Sequence, residues 1–186
     1  MKNQDRRLRI IGGKWRGRKV SFPDVDEVRP TADRIRETLF NWLMQDIAGA
    51  TCLDLYAGSG ALSFEALSRG AASVTLVEKN AGVARALEAS LSELEADRTS
   101  FTVVQADATQ WLAHCDASFD IIFLDPPFQG DGPPAVISQI AQAEIARKWV
   151  YIESGNALEP EMLPESWRIH RQKRAGAVHY CLCDSG

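Results

Sequence analysis

Five short apolar segments alternate with four helical patterns between residues 50 and 154. The apolar segments read ATCLDLYA, SVTLVEKN, SFTVVQAD, FDIIFLD and WVYIES. The helical patterns between them are ALSFEALSRG, AGVARALEASLSELEA, ATQWLAHC and PAVISQIAQAEI. Continuous apolar strands separated by helices are typical of a parallel sheet whose two faces are both covered. The pattern therefore predicts an α/β fold with a doubly wound, mostly parallel sheet.

The two ends of the chain depart from this alternation. Near the C-terminus, WRIHRQKR and AVHYCLC flank a turn at Ala175 and Gly176, which predicts an antiparallel hairpin at one edge of the sheet. The first fifty residues begin with LRIIGGKWRGRKVSFP, which favours a small basic hairpin. We expect residues 1–50 to form an appendage made of a basic hairpin and a helix, and residues 51–186 to form the main domain.

The segment RPTADRIRETLFNWLMQDI follows the hairpin and predicts an amphipathic helix. Thr31 is the predicted cap of this helix. Its apolar stripe consists of Ile35, Leu39, Trp42, Leu43 and Ile47.

The net charge of −4 hides an asymmetry along the chain. Residues 1–36 carry eleven Lys and Arg against five Asp and Glu, whereas residues 37–186 carry ten against twenty. A second basic cluster, RIHRQKR, spans Arg168 to Arg174. Basic residues gain free energy by displacing counterions from phosphates, so two basic ends favour a nucleic-acid partner. A solvated charged surface is the simpler alternative for either cluster alone.

Cysteine spacing and hydropathy exclude several other classes. Cys52, Cys115, Cys181 and Cys183 form no CxxC pair, and we expect reduced packing residues and no metal site. The sequence contains no apolar run of the length needed to span a membrane and no signal core near its start, so we expect a cytoplasmic protein.

The stretch LDLYAGSGAL lies where the first strand turns into the first helix. Gly58 and Gly60 would let the backbone approach a ligand closely, and Glu78 and Asp107 end the next two strands at the same edge. An acid twenty residues after Gly58 is placed to accept hydrogen bonds from a ribose. A dinucleotide would need a third glycine where this chain has Ser63, and its pyrophosphate would be repelled by these acids.

Carboxylates at this edge favour a cationic ligand without phosphate, namely S-adenosylmethionine. The alternative is that Glu78 and Asp107 are ordinary acids of strand-end turns.

The fourth strand runs into Asp125-Pro126-Pro127-Phe128. The Asp125 carboxylate and the Pro126 carbonyl are two acceptors for an exocyclic NH2 group, and proline fixes their geometry in advance. Phe128 would stack on the base that carries the amine, a contact worth about 1–3 kcal/mol in nucleic-acid sites. The alternative is a rigid turn with a packed ring.

Taken with these two motifs, the chain resembles the bacterial small-subunit ribosomal RNA guanine-N(2)-methyltransferases, the RsmD family, within the class I S-adenosylmethionine-dependent methyltransferases. The resemblance spans nearly the whole chain and is carried by RIIGGKWRGRKV, RPTADRIRETLFNWL, LDLYAGSGALSFEALSRGA, VEKN, DPPF, YIE and the late pattern Lys173, Gly176, Tyr180. Tyr56 and Ser63 are small departures from the first motif. The resemblance implies methyl transfer to the 2-amino group of a guanine in small-subunit RNA, on an assembled or assembling 30S particle. We also expect the protein to be a monomer.

The expected site has three groups of residues. The catalytic group is Asp125, Pro126, Pro127 and Phe128. The cofactor group is Asp54, Tyr56, Gly58, Gly60, Glu78, Lys79, Asp107 and Ala108; in it Asp54 anchors the loop and reaches toward the ammonium, Glu78 binds ribose and Asp107 binds adenine. The RNA-contacting group is Arg16, Arg18, Lys19, Arg29, Arg34, Lys173 and Arg174.

Three rival functions remain open on the sequence. An adenine 6-amino methyltransferase acting on DNA or RNA would use the same four residues, although DNA enzymes usually need a larger target-recognition region. A protein-amide methyltransferase leaves the basic ends unexplained. A non-catalytic RNA-binding assembly factor would bind RNA without turnover.

Overall fold

A computed structural model of the chain describes residues 6–23, 32–127 and 132–186. Its strands are β1 (Arg6–Arg9), β2 (Lys19–Phe22), β3 (Thr51–Asp54), β4 (Ser73–Glu78), β5 (Phe101–Gln105), β6 (Phe119–Leu124), β7 (Ala146–Ser154), β8 (Arg168–Ala175) and β9 (Val178–Asp184). Its helices are α1 (Asp33–Trp42), α2 (Ala61–Ser68), α3 (Ala81–Glu93), α4 (Ala108–Leu112) and α5 (Gly132–Gln142), and a 3₁₀ turn spans Pro160–Met162.

The main sheet has seven strands in the order β5-β4-β3-β6-β7-β9-β8. Strands β3 to β7 run parallel to one another, whereas β9 pairs antiparallel with both β7 and β8 at one edge. After β5 the chain returns across the sheet to place β6 beside β3, so the strand order reverses between these two strands. Open parallel sheets bind ligands at the carboxyl ends of the strands at such a reversal. The predicted fold class and the C-terminal hairpin are confirmed.

Helices cover both faces of this sheet. On one face, side chains of α1, α2 and α3 pack with Phe123 of β6 and Tyr151 of β7. On the other face, side chains of α4 and α5 pack with Leu124 and Ile152 of the same two strands. Because both faces are buried, the central strands read as continuous apolar runs, as the sequence predicted.

The N-terminal hairpin packs on the first of these faces. Leu8, Ile10, Trp15 and Val20 belong to the same apolar cluster as the central strands. The loop after β1 is also held by the buried carboxylate of Glu65 in α2, whose two oxygens accept the backbone N–H groups of residues 11 and 12 at 2.9 Å and 2.8 Å. The predicted hairpin is confirmed, and the division of the chain at residue 50 stays a prediction.

Helix α1 differs from its prediction at both ends. Its N-cap is Ala32, which has no side-chain acceptor, and not Thr31, which lies outside the described residues. The helix ends at Trp42, and Leu43 and Ile47 are buried in the turns that follow. In residues 6–23, 32–127 and 132–186, no helix combines the length and apolar character needed to cross a bilayer.

Candidate active site

The loop between β3 and α2 is fixed to the neighbouring strand β4 by two hydrogen bonds that its backbone N–H groups donate. Ala57 donates its N–H to the carbonyl of Val77 at 3.0 Å, and Gly58 donates to Oε2 of Glu78 at 3.0 Å. Gly60 has φ +77°, and a Cβ there would lie 2.5 Å from Cζ of Phe64. Glycine is therefore required at position 60 by both the backbone conformation and the close approach of α2.

Asp54 lies at the base of this loop and is buried. Its Oδ2 accepts a hydrogen bond of 2.6 Å from the Ser63 hydroxyl. Burial raises the pKa of Asp54 to about 7, the charges of Asp125 and Glu78 add to the rise, and the bonds from Ser63 and the Tyr56 backbone oppose it. The predicted anchoring role is consistent with these bonds, whereas contact with an ammonium group stays a prediction.

Glu78 ends β4 beside the loop and is half-buried. Its Oε1 accepts from the backbone N–H of Asn80 at 2.7 Å, while Oε2 accepts from Gly58. A carboxylate has about four acceptor positions, so these two bonds orient it and leave capacity for the hydroxyls of a ribose. Asn80 in turn caps α3 by accepting from the N–H groups of residues 82 and 83.

Asp107, at the end of β5, caps the short helix α4. Its Oδ1 accepts from the Thr109 hydroxyl at 2.6 Å and from the Thr109 N–H at 3.0 Å. Its Oδ2 lies 3.5 Å from Nζ of Lys79, which is 80% exposed. The hydrogen bond from the Thr109 hydroxyl is the largest cause of a lowered pKa for Asp107, which therefore remains ionised.

Tyr56 and Ala108 lie near Asp107. Burial raises the pKa of the half-buried Tyr56 hydroxyl, and the charge of Asp107 raises it further. Ala108 is buried at the start of α4. The structure thus groups the predicted cofactor residues along the ends of β3, β4 and β5, and their contacts with a cofactor stay predictions.

Asp125 and Pro126 follow β6 directly, beside the end of β3. The β6 residue Phe123 pairs with Asp54, so the two motifs lie on adjacent strands. Asp125 is half-buried, Pro126 is buried and Pro127 is exposed. Phe128 lies outside the described residues, and its stacking on a base stays a prediction. The charge of Asp125 contributes to the raised pKa of Asp54, after burial.

Two further polar residues lie at the end of β7, next to Asp125. The Tyr151 hydroxyl donates a hydrogen bond of 2.7 Å to Oε1 of Glu153, and both side chains are buried. Burial raises the pKa of the Tyr151 hydroxyl, and the charges of Glu153 and then Asp125 raise it further. This pair therefore forms part of the same edge as Asp125.

The predicted RNA-contacting residues fall into two main groups, one on the N-terminal hairpin and one on β8. Arg16, Arg18 and Lys19 are exposed on the N-terminal hairpin, which contacts α3. Lys173 and Arg174 are exposed on β8, the edge strand at the other side of the sheet.

Several of these cations also make contacts within the protein. Arg18 donates to the carbonyls of Glu93 and Leu94 at 2.6 Å and 3.3 Å, which stabilises the C-terminal end of α3. Nζ of Lys173 lies 6.0 Å from the ring centre of Trp42. Arg34 is exposed on α1, and Arg29 lies outside the described residues. RNA contact by all seven stays a prediction.

A hollow of about 230 Å³ lies at the opposite end of the strands. It is lined by the ion pair of Lys148 with Asp46, whose atoms are 2.7 Å apart, and by Asp120, which accepts from the Thr51 hydroxyl and backbone. These polar groups satisfy one another, and none belongs to the motifs above. Within the part of the chain that the structure describes, no cluster of His, Cys, Asp and Glu is arranged to hold a metal ion.

Comparison with protein families matches residues 8–184 to the family described as conserved hypothetical protein 95. The chain belongs to this family. Ribosomal RNA small subunit methyltransferase D of Escherichia coli (strain K12) is 44% identical over 179 residues, covering 94% of this chain and 88% of that protein. The protein of the same name from Haemophilus influenzae is 38% identical over 179 residues, covering 94% and 92%. The resemblance found in the sequence is confirmed.

Solved structures agree with this family membership. The Escherichia coli protein yhhF superposes with a TM-score of 0.85 at 41% identity, over 96% of this chain and 98% of that chain. A T. thermophilus 16S rRNA N2 methyltransferase, RsmC, solved with AdoMet and guanosine, gives 0.74 at 22% identity, over 98% of this chain and 50% of that one. At that identity the second match shows a shared fold.

Some residues of the site were not given roles from the sequence. Ser63 appeared as a small departure from a motif, yet it donates the hydroxyl that stabilises Asp54. Tyr151 and Glu153 were noted within YIE and are now seen to be bonded to each other. A sequence signal existed for Glu153, because a charged residue ending a buried strand is rarely placed there for packing alone.

Proposed function

We propose that this protein transfers a methyl group from S-adenosylmethionine to the 2-amino group of a guanine in small-subunit ribosomal RNA. The observation that carries the proposal is the adjacency of the Gly58–Gly60 loop and Asp125 at the ends of the paired strands β3 and β6. The relatives named ribosomal RNA small subunit methyltransferase D support the activity and the class of substrate.

The residues at the loop suit this cofactor. Glu78 has its carboxylate oriented by two backbone N–H groups and would accept from the ribose hydroxyls. Asp107 has Oδ1 occupied by its helix cap and would present Oδ2 to the adenine amine. When bound, the cofactor supplies an electrophilic methyl group on a sulfonium. An acidic edge attracts that positive charge and would repel a pyrophosphate.

Asp125 and the Pro126 carbonyl would hold the target amine. The lone pair of an exocyclic amine is delocalised into its ring, so the nitrogen is a poor nucleophile. When each acceptor receives a hydrogen bond from one N–H of the amine, the nitrogen is favoured to become tetrahedral. Its lone pair then points away from the two acceptors. Because Pro126 and Pro127 restrict the backbone, the acceptors are arranged before the substrate binds. Asp125 then offsets the positive charge that develops on nitrogen, and the released proton passes to water.

The finer features of the substrate belong to the same proposal. Lys173 pairs with Tyr180, and Tyr180 pairs with Glu153 at the end of β7, so RNA bound at Asp125 would contact the cations at the end of β8. Arg18 lies at the end of α3 that leads into β5, toward the opposite end of the strands, so the hairpin cations would contact RNA farther from Asp125.

We propose an assembled or assembling 30S particle in the cytoplasm as the substrate. One chain supplies both the Gly58–Gly60 loop and the two acceptors at Asp125 and Pro126, which supports a monomeric enzyme.

Transfer of a tritiated methyl group tests the proposal. The full-length protein and labelled cofactor are incubated separately with 30S subunits, naked 16S RNA and duplex DNA, and the labelled nucleosides are then identified. We expect label in N2-methylguanosine from the ribosomal substrate. Label in N6-methyladenosine would favour the rival adenine enzyme, and RNA binding without label would favour the assembly factor.

A further inference from the structure

Three residues from separate elements meet on the face of the sheet that α1, α2 and α3 cover. Trp42 ends α1, Tyr180 lies in β9 and Lys173 lies in β8. The rings of Trp42 and Tyr180 are stacked, with their centroids 5.5 Å apart and their planes inclined by 27°. Nζ of Lys173 lies 6.0 Å from the centre of the Trp42 ring. These three residues form the Trp42 platform.

Strand pairing places this platform at the same edge as Asp125. Asp125 follows β6 and comes level with Glu153 at the end of the parallel neighbour β7. Glu153 pairs with Tyr180 on β9, and Tyr180 pairs with Lys173 on β8. Neighbouring strands are about 4.8 Å apart, so Tyr180 lies about 10 Å from Asp125 across the sheet and Lys173 about 14 Å. The Trp42 platform is therefore close to the position where the target amine would be held.

Tyr180 supports the Trp42 ring from inside the protein. Tyr180 is buried, with 4% of its surface exposed, and its ring lies 6.5 Å from that of Tyr151. Trp42 is only partly buried, so the exposed part of its indole lies away from Tyr180. A flat ring that is already held by a buried aromatic neighbour loses little conformational freedom when a second ring stacks on it.

Two cations of β8 lie on the same face as Trp42. Arg171 and Lys173 pair with Leu182 and Tyr180, which both belong to the apolar cluster of that face. Directly opposite residues of paired strands point to the same side of a sheet. Both cations are exposed, and within the part of the chain that the structure describes no carboxylate lies at ion-pair distance from either. The platform thus combines a flat apolar ring with positive charge, which suits an anionic partner that carries a flat ring of its own.

A nucleotide of single-stranded RNA matches both parts of this surface. It carries a phosphate and a base whose face is open, whereas the bases of a duplex are stacked on one another. We infer that Trp42 stacks on an unpaired base that flanks the target guanine, while Lys173 contacts the adjoining phosphate. This assignment rests on the proposed function, because it places the flanking nucleotide beside the guanine held at Asp125.

Trp42 is then a positioning residue that favours an RNA loop over a stem. A base that leaves its neighbours costs a few kcal/mol of stacking, and this cost is smallest where the strand is already unpaired. Stacking on Trp42 replaces part of the lost stacking for the flanking nucleotide. Because every base has a flat face, the contact tolerates any sequence at that position.

Tryptophan fluorescence tests the stacking contact directly, because a base that stacks on an indole quenches its emission. The full-length protein, saturated with S-adenosylhomocysteine so that no methyl transfer occurs, is titrated with a short single-stranded oligoadenylate that carries one central guanosine. We expect quenching in the wild-type protein and loss of most of it in Trp42→Phe, which keeps a ring on Tyr180. Trp111→Phe is the matched control and should keep the quenching, since Trp111 is also partly buried but packs beside Phe119 on the opposite face of the sheet.

The affinity for the same oligonucleotide separates stacking from charge. Trp42→Leu should weaken binding about 5- to 150-fold, the usual worth of one stacked base. It should leave the slope of log affinity against log salt unchanged because stacking releases no counterion, whereas Lys173→Gln should lower that slope by about 1. Both variants should bind S-adenosylmethionine as the wild-type protein does, which a general loss of folding would prevent.

An oligonucleotide with abasic residues on both sides of the guanosine tests the wild-type protein itself, so its result does not depend on the folding of a variant. We expect the wild-type protein to bind it more weakly than the intact oligonucleotide, and Trp42→Leu to bind the two almost equally.

Equal affinity of the wild-type protein for the intact and abasic oligonucleotides overturns the assignment, as does quenching in Trp42→Phe equal to that of the wild-type protein or an absence of quenching in both. This failure is distinct from failure of the proposed function, in which the wild-type protein produces no N2-methylguanosine on 30S subunits.

Discussion

Replacing Gly60 by alanine tests how the glycine loop is built. Gly60 has φ +77°, and an added Cβ would lie 2.5 Å from Cζ of Phe64 and 2.8 Å from Cδ2 of Leu87. Both neighbouring side chains are buried, so neither can move into solvent. We expect Gly60→Ala to lose stability through the backbone and through the crowded contact together.

Replacing Gly49 by alanine separates the cost of the backbone conformation from the cost of the crowded contact. It has φ +78°, almost the same value, but a Cβ there would meet nothing within 4 Å. Gly49→Ala should therefore cost only the backbone term, about 1–2 kcal/mol for a left-handed residue. Gly60→Ala should cost that amount plus about 1–3 kcal/mol for overpacking, or about 2–5 kcal/mol in total.

Urea unfolding of the two variants measures the difference, and calorimetric titration with S-adenosylmethionine measures cofactor binding. Gly60→Ala should be less stable than Gly49→Ala and should bind the cofactor more weakly, because the loop must shift to admit the methyl group. Equal stability of the two variants, with wild-type cofactor binding in both, would refute the steric account of the loop.

Three other perturbations have defined outcomes. Asp54 has a pKa of about 7 in the folded protein against an ordinary 3.8, so the folded state binds its proton more tightly, and stability should fall as pH rises from about 4 to 7. Urea unfolding at several pH values should show the free energy of unfolding fall by at most about 1.4 kcal/mol per pH unit, and less steeply in Asp54→Asn. An equal pH dependence in both proteins would contradict a raised pKa for Asp54. Glu65→Gln weakens the buried bonds to the hairpin loop and to Arg69, whose Nε is 2.7 Å from Oε1. The free energy of unfolding should fall by about 3–5 kcal/mol in the same assay. A fall of less than about 1 kcal/mol would contradict this role of Glu65. The double change Arg16→Gln and Lys19→Gln should leave stability intact and lower the slope of log affinity for 16S RNA against log salt by about 2, and an unchanged slope would exclude both phosphate contacts.

The strands and their carboxyl ends could be predicted from the sequence because each buried strand is a continuous apolar run that stops at an acid. Asp54, Glu78, Asp107 and Asp125 all lie where that reasoning placed them. Asp125 is brought beside Asp54 by the return of the chain from β5 to β6, which follows from the doubly wound topology.

Long-range polar contacts could not be predicted in the same way. The Glu65 carboxylate binds the N-terminal loop across 53 and 54 residues of sequence, and no local periodicity encodes such a pairing. The end of α1 at Trp42 was missed because its apolar stripe continues to Ile47 through turns that keep the same side buried. The hydrogen bond from Ser63 to Asp54 was missed because a small polar residue at that position reads equally well as a surface residue.

The single-turnover rate of methyl transfer by Asp125→Ala, measured with saturating cofactor on 30S subunits, tests the central claim most directly. Removing one preorganised acceptor should slow transfer by about 10²–10³-fold, with the dissociation constant for the cofactor unchanged. Asp125→Asn keeps an acceptor oxygen and should be much less impaired. A rate for Asp125→Ala equal to that of the wild-type protein would contradict the claim that Asp125 and the Pro126 carbonyl hold the reacting amine.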